Sequence, residues 1–186
     1  MLIKKYNIPL EIKTIIMSYN YNSFKEIKEF CDENGFGYQV DADVFSKTNG
    51  VFSPQDLRMS SEQLHEVLLE IDKIRDFNLH EHTENELICP NIEYSLFIDS
   101  NGDAYPCNKY FIKVGNIYNN SIDDIWNNNP LISKLQNLKW KDTTCAKCRI
   151  NKYCSKCPRV ALLEDGNLLG KSSLACDFAN VRCDLY

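Results

Sequence analysis

The stretch Cys145-Ala-Lys-Cys148-Arg-Ile-Asn-Lys-Tyr-Cys154-Ser-Lys-Cys157 places two Cys-x2-Cys pairs within thirteen residues. A Cys-x2-Cys loop turns two thiolates toward one ion or one cluster edge, and soft thiolates select zinc, copper(I) or iron–sulfur clusters. Lys147, Arg149, Lys152, Lys156 and Arg159 surround the pairs. Positive charge lowers a thiol's pKa and offsets the negative charge of a thiolate-ligated cluster. Cys176 and Cys183 follow, and Cys89 and Cys107 precede, so eight of the nine cysteines fall after residue 88. One structural zinc site uses four thiolates of a single knuckle and leaves Cys89 and Cys107 spare. Seven or eight ligands suit two four-iron clusters better.

The rest of the 186 residues narrows the class. Apolar residues make up 44% and charged residues 25%, which excludes wholesale disorder. No apolar run approaches the roughly 18 residues of a membrane span, and the mean hydropathy is −0.39. A net charge of −5 without a clustered basic patch argues against a nucleic-acid partner. The first seventeen residues have neither the apolar run nor the small-residue cleavage site of a signal peptide. A cytoplasmic location is therefore expected, where disulfides rarely persist; the odd cysteine count fits a fully paired framework poorly. Serine-type triads, phosphate loops and carboxylate dyads leave no trace.

Up to about residue 79 the chain alternates strand and helix. Ile12 to Met17 is a β-branched run that predicts a buried strand. Ser23 with Glu26 predicts a capping box; Ile27, Phe30 and Cys31 repeat at helical spacing, and Gly35 ends the helix. Tyr38 to Phe45 alternates, with Tyr38, Val40, Ala42 and Val44 on one face and Gln39, Asp41 and Asp43 on the other. Ser60 with Gln63 caps a helix whose apolar stripe is Leu64, Val67, Leu68, Ile71, Ile74 and Phe77. This order predicts an α/β unit with a parallel sheet and helical crossovers. Two strands leave faces and edges uncovered, so the unit, 1–79, is expected to be part of something larger.

The polar segment His80 to Glu86 marks the expected boundary with a second unit, 80–186. There Tyr94 to Ile98 and Ala104 to Cys107 predict a β-hairpin turned at Asn101-Gly102. Ser121 with Asp124 starts a short helix carrying Ile122, Ile125 and Trp126; Asn127 to Pro130 end it, and Leu131 to Leu138 add a further turn or two.

The series Cys89-x12-Gly102-x4-Cys107, then Cys145-x2-Cys148-x5-Cys154, Cys157 and Cys176, resembles the SPASM domain, the C-terminal auxiliary-cluster module of radical S-adenosylmethionine enzymes that modify peptides and proteins. Asp99 to Cys107 (DSNGDAYPC), Gly115 to Trp126 (GNIYNNSIDDIW) and Cys154 to Gly166 (CSKCPRVALLEDG) are similar to it as well. Asn49-Gly50-Val51-Phe52-Ser53-Pro54 and Leu57-Arg58-Met59-Ser60, with the strands before them, resemble the last third of the partial (β/α) barrel of these enzymes. The resemblance thus spans essentially the whole chain. It implies the C-terminal part of a partial barrel followed by a small cysteine-rich α+β domain with a β-hairpin.

The resemblance further implies two 4Fe-4S clusters with interleaved ligands: Cys89, Cys107 and Cys157 nearer the barrel, and Cys145, Cys148, Cys154 and Cys176 distally. Two departures stand out. The family often has three residues between the last two knuckle cysteines, where Ser155-Lys156 supplies two, and some members carry a cysteine where this chain has Thr83. The nearer cluster is then left with an open iron or with a fourth ligand drawn from His80, His82 or Cys183. In the sulfatase-maturing branch an aspartate directly follows the hairpin's second cysteine as proton acceptor; Asn108 stands there and cannot act as a base.

The CxxxCxxC loop that holds the S-adenosylmethionine-cleaving cluster is not in this sequence. Cys31 is the only cysteine before position 89 and reads as a buried small hydrophobe. The chain is expected to be the C-terminal portion of such an enzyme, as a truncation, a split gene or a broken frame, and not to cleave S-adenosylmethionine alone. In an intact barrel, Asp41, Asp43 and the Met17 to Asn20 turn, at the C-terminal strand ends, would face cofactor or substrate. The implied partners are a peptide or protein substrate, a separate N-terminal chain and an electron donor such as flavodoxin or ferredoxin. The alternative is a structural zinc or single-cluster domain without a redox task.

Overall fold

The computed structural model describes residues 6–47 and 53–186. Strand β1 (Glu11–Ile15) runs parallel to β2 (Gly37–Asp41), with Ile12 opposite Tyr38 and Thr14 opposite Val40. Helix α1 (Phe24–Asn34) forms the crossover, as the alternating pattern predicts. The ladder is shorter than either apolar run. β1 stops at Ile15, where Asn20 closes the following turn by accepting from the Met17 N–H at 2.7 Å and donating to the Ile15 carbonyl at 3.1 Å. Beyond Asp41 the alternation continues without a paired strand: Val40, Ala42 and Val44 are buried, and Asp41 and Asp43 are half-buried.

The capping box expected at Ser23 does not form. Ser23 already has helical angles (φ −84°, ψ −13°) because it is approached through a turn, its N–H bonded to the Asn20 carbonyl at 3.0 Å. A residue already inside the helical region cannot fold its hydroxyl forward onto the first turn. Gly35 ends α1 in the left-handed conformation at φ +68°, as expected, and Phe24 and Cys31 face inward. The next box does form: Ser60 Oγ accepts from the Gln63 N–H at 3.3 Å, and Gln63 Oε1 accepts from the Ser60 N–H at 3.1 Å. It opens helix α2 (Ser61–Ile74), which buries Leu64, Val67, Leu68 and Ile71.

The second half is mostly turns and short helices around a small antiparallel sheet. β3 (Phe97–Ile98) pairs with β4 (Asp103–Tyr105) through the expected turn, where Gly102 has φ +78°. A third strand, β5 (Gly115–Asn116), lies on the other edge of β4; two residues are too few to register as alternation. α3 (Ile122–Asn127) is capped by Ser121, and α4 (Pro130–Gln136) by Asn129 with proline in its first turn. After the cysteine knuckle come α5 (Pro158–Asp165) and α6 (Ser173–Leu185). The described residues thus form a mixed α/β structure with two small sheets.

One apolar cluster unites Ile16, Phe24, Val40, Ala42, Met59 and the stripe of α2 with Val160, Leu174, Phe178 and Val181. Side chains from both sides of residue 80 therefore share it, and α6 covers the apolar face that α2 would otherwise expose. At about 1.5–3 kcal/mol per fully buried aliphatic side chain, this joint burial is the main term holding the halves together. Two ion pairs reinforce it. Arg58 Nη2 donates to both oxygens of Glu164 at 2.7 Å while its Nε donates to the Val44 carbonyl at 2.6 Å. Arg182 of α6 grips Asp72 of α2, both sealed from solvent. The Asn49 to Phe52 part of the barrel-like motif lies outside the described residues.

Candidate metal centre

The knuckle is a run of tight turns. The Cys148 N–H bonds to the Cys145 carbonyl at 2.9 Å, Asn151 to Cys148 at 3.3 Å, and Cys154 to Asn151 at 3.0 Å. The Cys145 N–H is held by Thr143 Oγ1 at 3.2 Å. These turns aim Cys145, Cys148 and Cys154 into one cavity, and α6 adds Cys176 to its lining. Burial pushes the Cys154 thiol up to about 11, with the neighbouring charges of Cys176 and Cys145 adding to the effect. Cys176 is raised for the same reasons, by burial first and then by Cys145 and Cys148.

A second cavity is lined by Cys89, Cys107 and Cys157 and shares no lining residue with the first. Cys89 sits at the start of a 3₁₀ turn, Cys107 just past β4, and Cys157 is the N-cap of α5. Apart from Asn91 and Arg159 the walls are apolar, with Ile92, Tyr110 and Leu135 among them. Burial, then the charges of Cys157 and Cys107, raise the Cys89 thiol, and burial raises Cys107. Thiols held protonated in this way bind metal only by releasing protons, so loading either set is proton-coupled.

Each cavity has one buried cation beside it. Lys156, 9% exposed, puts Nζ 4.0 Å from Cys145 Sγ and donates to the Gly170 and Leu169 carbonyls. Burial lowers its pKa, while the thiolate charges of Cys145, Cys154 and Cys176 act the other way. Arg159 lines the second cavity, 8% exposed, with its guanidinium 5.5 Å from the Tyr110 ring centroid and its Nε without a hydrogen-bond partner. A buried, unpaired guanidinium N–H is costly unless an anion meets it. Both features fit thiolate-ligated clusters, which are anionic.

The other candidate residues are placed as follows. Cys31 is fully buried in the apolar cluster's helix, and Cys183 is exposed on α6, lining neither cysteine cavity. His80 and His82 turn to Glu86 rather than to the cavity of Cys89, Cys107 and Cys157. Asp43 lines a third cavity with Lys109, Ser155 and Cys157, next to Asp41 and Arg75. Burial, then the charge of Asp41, raises the Asp43 carboxyl, and Arg75 opposes them. Asn20 has both ends of its amide bonded to backbone, and Asn108 is exposed between Cys107 and Lys109. Glu86 was not marked by the sequence reading, although the spacing His80-x-His82-x3-Glu86 carries it.

Among the described residues no helix is long and apolar enough to cross a membrane. Curated proteins give no match. The solved structure of native anSMEcpe with bound AdoMet and Kp18Cys peptide is similar at TM-score 0.60 and 15% identity, covering 98% of this chain and 57% of that one. Native anSMEcpe with bound AdoMet gives TM-score 0.58 at 16% identity, covering 99% and 57%. At these identities the likeness is one of fold, and the chain spans a little over half the length of the structures it matches. Residues 89–158 match the family model of SPASM, an iron–sulfur cluster-binding domain. The segment that contains the hairpin and the knuckle thus matches an iron–sulfur cluster-binding domain.

Proposed function

We propose that the chain is the auxiliary-cluster portion of a radical S-adenosylmethionine enzyme that modifies peptides or proteins, and that it holds two 4Fe-4S clusters. Cys89, Cys107 and Cys157 ligate one, and Cys145, Cys148, Cys154 and Cys176 the other. The observation that carries this reading is the sorting of seven cysteines into two cavities, three in one and four in the other, in the interleaved order. Residues 1–79 are the last part of a partial barrel and 80–186 the cluster domain.

Four thiolates suit an electron carrier, and three leave an iron open to a substrate or another ligand. S-adenosylmethionine cleavage belongs to a CxxxCxxC-bearing segment or separate chain working with this one, in the cytoplasm, with flavodoxin or ferredoxin as electron donor. Asp43, beside Cys157 in its cavity, would face the peptide in the assembled enzyme.

Anaerobic reconstitution with iron and sulfide tests this. About eight irons and eight acid-labile sulfides per chain are expected, with reducible signals in low-temperature EPR. Replacing Cys89 and Cys107 by alanine should remove about half of both, and Cys183→Ser none. One zinc with no sulfide and no reducible signal would make the protein a zinc-stabilised domain instead.

A further inference from the structure

The segment between the two units carries a constellation that the cysteine chemistry does not use. His80 Nε2 lies 2.9 Å from Glu86 Oε2, and His82 Nδ1 lies 2.8 Å from Glu86 Oε1. Three ligand atoms, one from each of these residues, lie within 4.8 Å of one another, the one such set of His, Cys, Asp and Glu among the described residues. We propose that His80, His82 and Glu86 form a mononuclear site for a divalent transition cation, zinc or iron(II), separate from the cysteine cavities.

The tautomer of His82 points to a cation. Its Nε2 is 3.1 Å from the Cys154 carbonyl, which can only accept, so Nε2 carries the hydrogen. In the neutral ring Nδ1 is then a bare lone pair, yet it faces a carboxylate oxygen at 2.8 Å. Two acceptors at that distance need a proton, on the ring or on the carboxyl, or a metal ion between them. A metal-ligating histidine commonly donates its other ring N–H to a backbone carbonyl, which is the arrangement seen here. The ring is also fixed in orientation, stacked on Trp140 with centroids 3.9 Å apart. Two imidazoles and a carboxylate suit zinc and iron(II), with positions left for water.

The site sits where it can clamp the segment onto the knuckle. The His80 N–H bonds to the Lys152 carbonyl at 3.1 Å, and the Trp140 N–H to the Glu86 carbonyl at 2.8 Å. Asn151 Nδ2 reaches the His82 carbonyl at 3.4 Å. An ion held by His80, His82 and Glu86 would lock both ends of this loop against the turns that carry Cys154.

Zinc titration of the cluster-reconstituted full chain, followed by zinc X-ray absorption, tests the proposal. One zinc with a nitrogen/oxygen shell at about 2.0–2.1 Å is expected. Glu86→Gln should weaken its binding at least about tenfold, and His80→Ala, at an exposed position that folding tolerates, should do the same. No zinc bound beyond the iron sites, a shell containing sulfur at about 2.3 Å, or affinity unchanged in both variants would overturn it and leave a histidinium–carboxylate cluster. Iron and sulfide counts in the same samples report on the cysteine sites independently.

Discussion

Arg182 on α6 holds Asp72 on α2 through two contacts of 2.7 Å, Nε to Oδ2 and Nη2 to Oδ1, with the side chains 1% and 0% exposed. The same guanidinium lies 3.7 Å from the Phe77 ring centroid and donates to the Tyr153 carbonyl at 3.2 Å, one residue before Cys154. One side chain thereby ties α2 to the knuckle. Arg182→Met leaves the buried Asp72 carboxylate without its counter-charge, with only the Tyr186 hydroxyl as partner, and should cost about 3–5 kcal/mol in urea denaturation. Adding Asp72→Leu to that variant should recover most of the loss, because the desolvated charge is gone. A double variant as unstable as the single one would show that the pair contributes net attraction.

The hairpin turn rests on Gly102. Its φ is +78°, and a Cβ there would meet Tyr118 Cε2 at 2.5 Å, whereas at Gly166, φ +73°, a Cβ would meet nothing within 4 Å. Gly166→Ala should therefore cost about 1–2 kcal/mol, the left-handed backbone penalty alone. Gly102→Ala adds the overlap with Tyr118 and should lose clearly more. Equal losses in thermal or chemical denaturation would mean that Tyr118, an exposed ring, simply swings aside.

Lys156 is a buried cation in the lining of the four-cysteine cavity, and a positive charge there would favour the reduced, more negative form of the cluster proposed for it. Lys156→Gln should keep the iron content and move the potential of that cluster to more negative values by roughly 60 mV, the one-electron equivalent of a tenfold change in equilibrium. The other cluster's potential should not move. A redox titration followed by EPR separates the two, and an unchanged potential would reduce Lys156 to a brace for the Gly170 and Leu169 carbonyls.

Asp43 sets a pH signature. Its carboxyl is raised above 3.8 by burial and by Asp41. Above pH 3.8 the native chain therefore keeps a proton that the unfolded chain has released, and stability falls as pH rises through the folded value. At pH 7 the carboxylate is a net cost. Asp43→Asn should thus melt higher than the parent at pH 7 and no higher below pH 3.8, where both side chains are neutral. A lower melting temperature at pH 7 would mean that the attraction of Arg75 outweighs burial.

Much of this protein is local chemistry. The Ser60–Gln63 box, the Gly35 stop, the Asn101-Gly102 turn and the stripe of α2 depend on residues three or four apart, so their patterns appear in the sequence. The knuckle is local too: Cys145, Cys148 and Cys154 reach one cavity through turns of a few residues each. By contrast, the Ser23 box failed because the approach of the preceding chain, not the spacing, decides whether a cap forms. Strand β5 was invisible because two residues have no period.

What the sequence alone carried, then, is the cysteine spacing that matches an iron–sulfur cluster-binding domain and a strand–helix–strand order with its crossover helix. Only tertiary structure decided that Lys156 and Arg159 are buried beside the cysteines and that Arg182 finds Asp72 across 110 positions. It also turned His80 and His82 toward Glu86. The physical reason is that turns and caps are short-range hydrogen bonds encoded by neighbours. Burial, and with it every charge pairing in a dry interior, exists only after α6 has closed over α2.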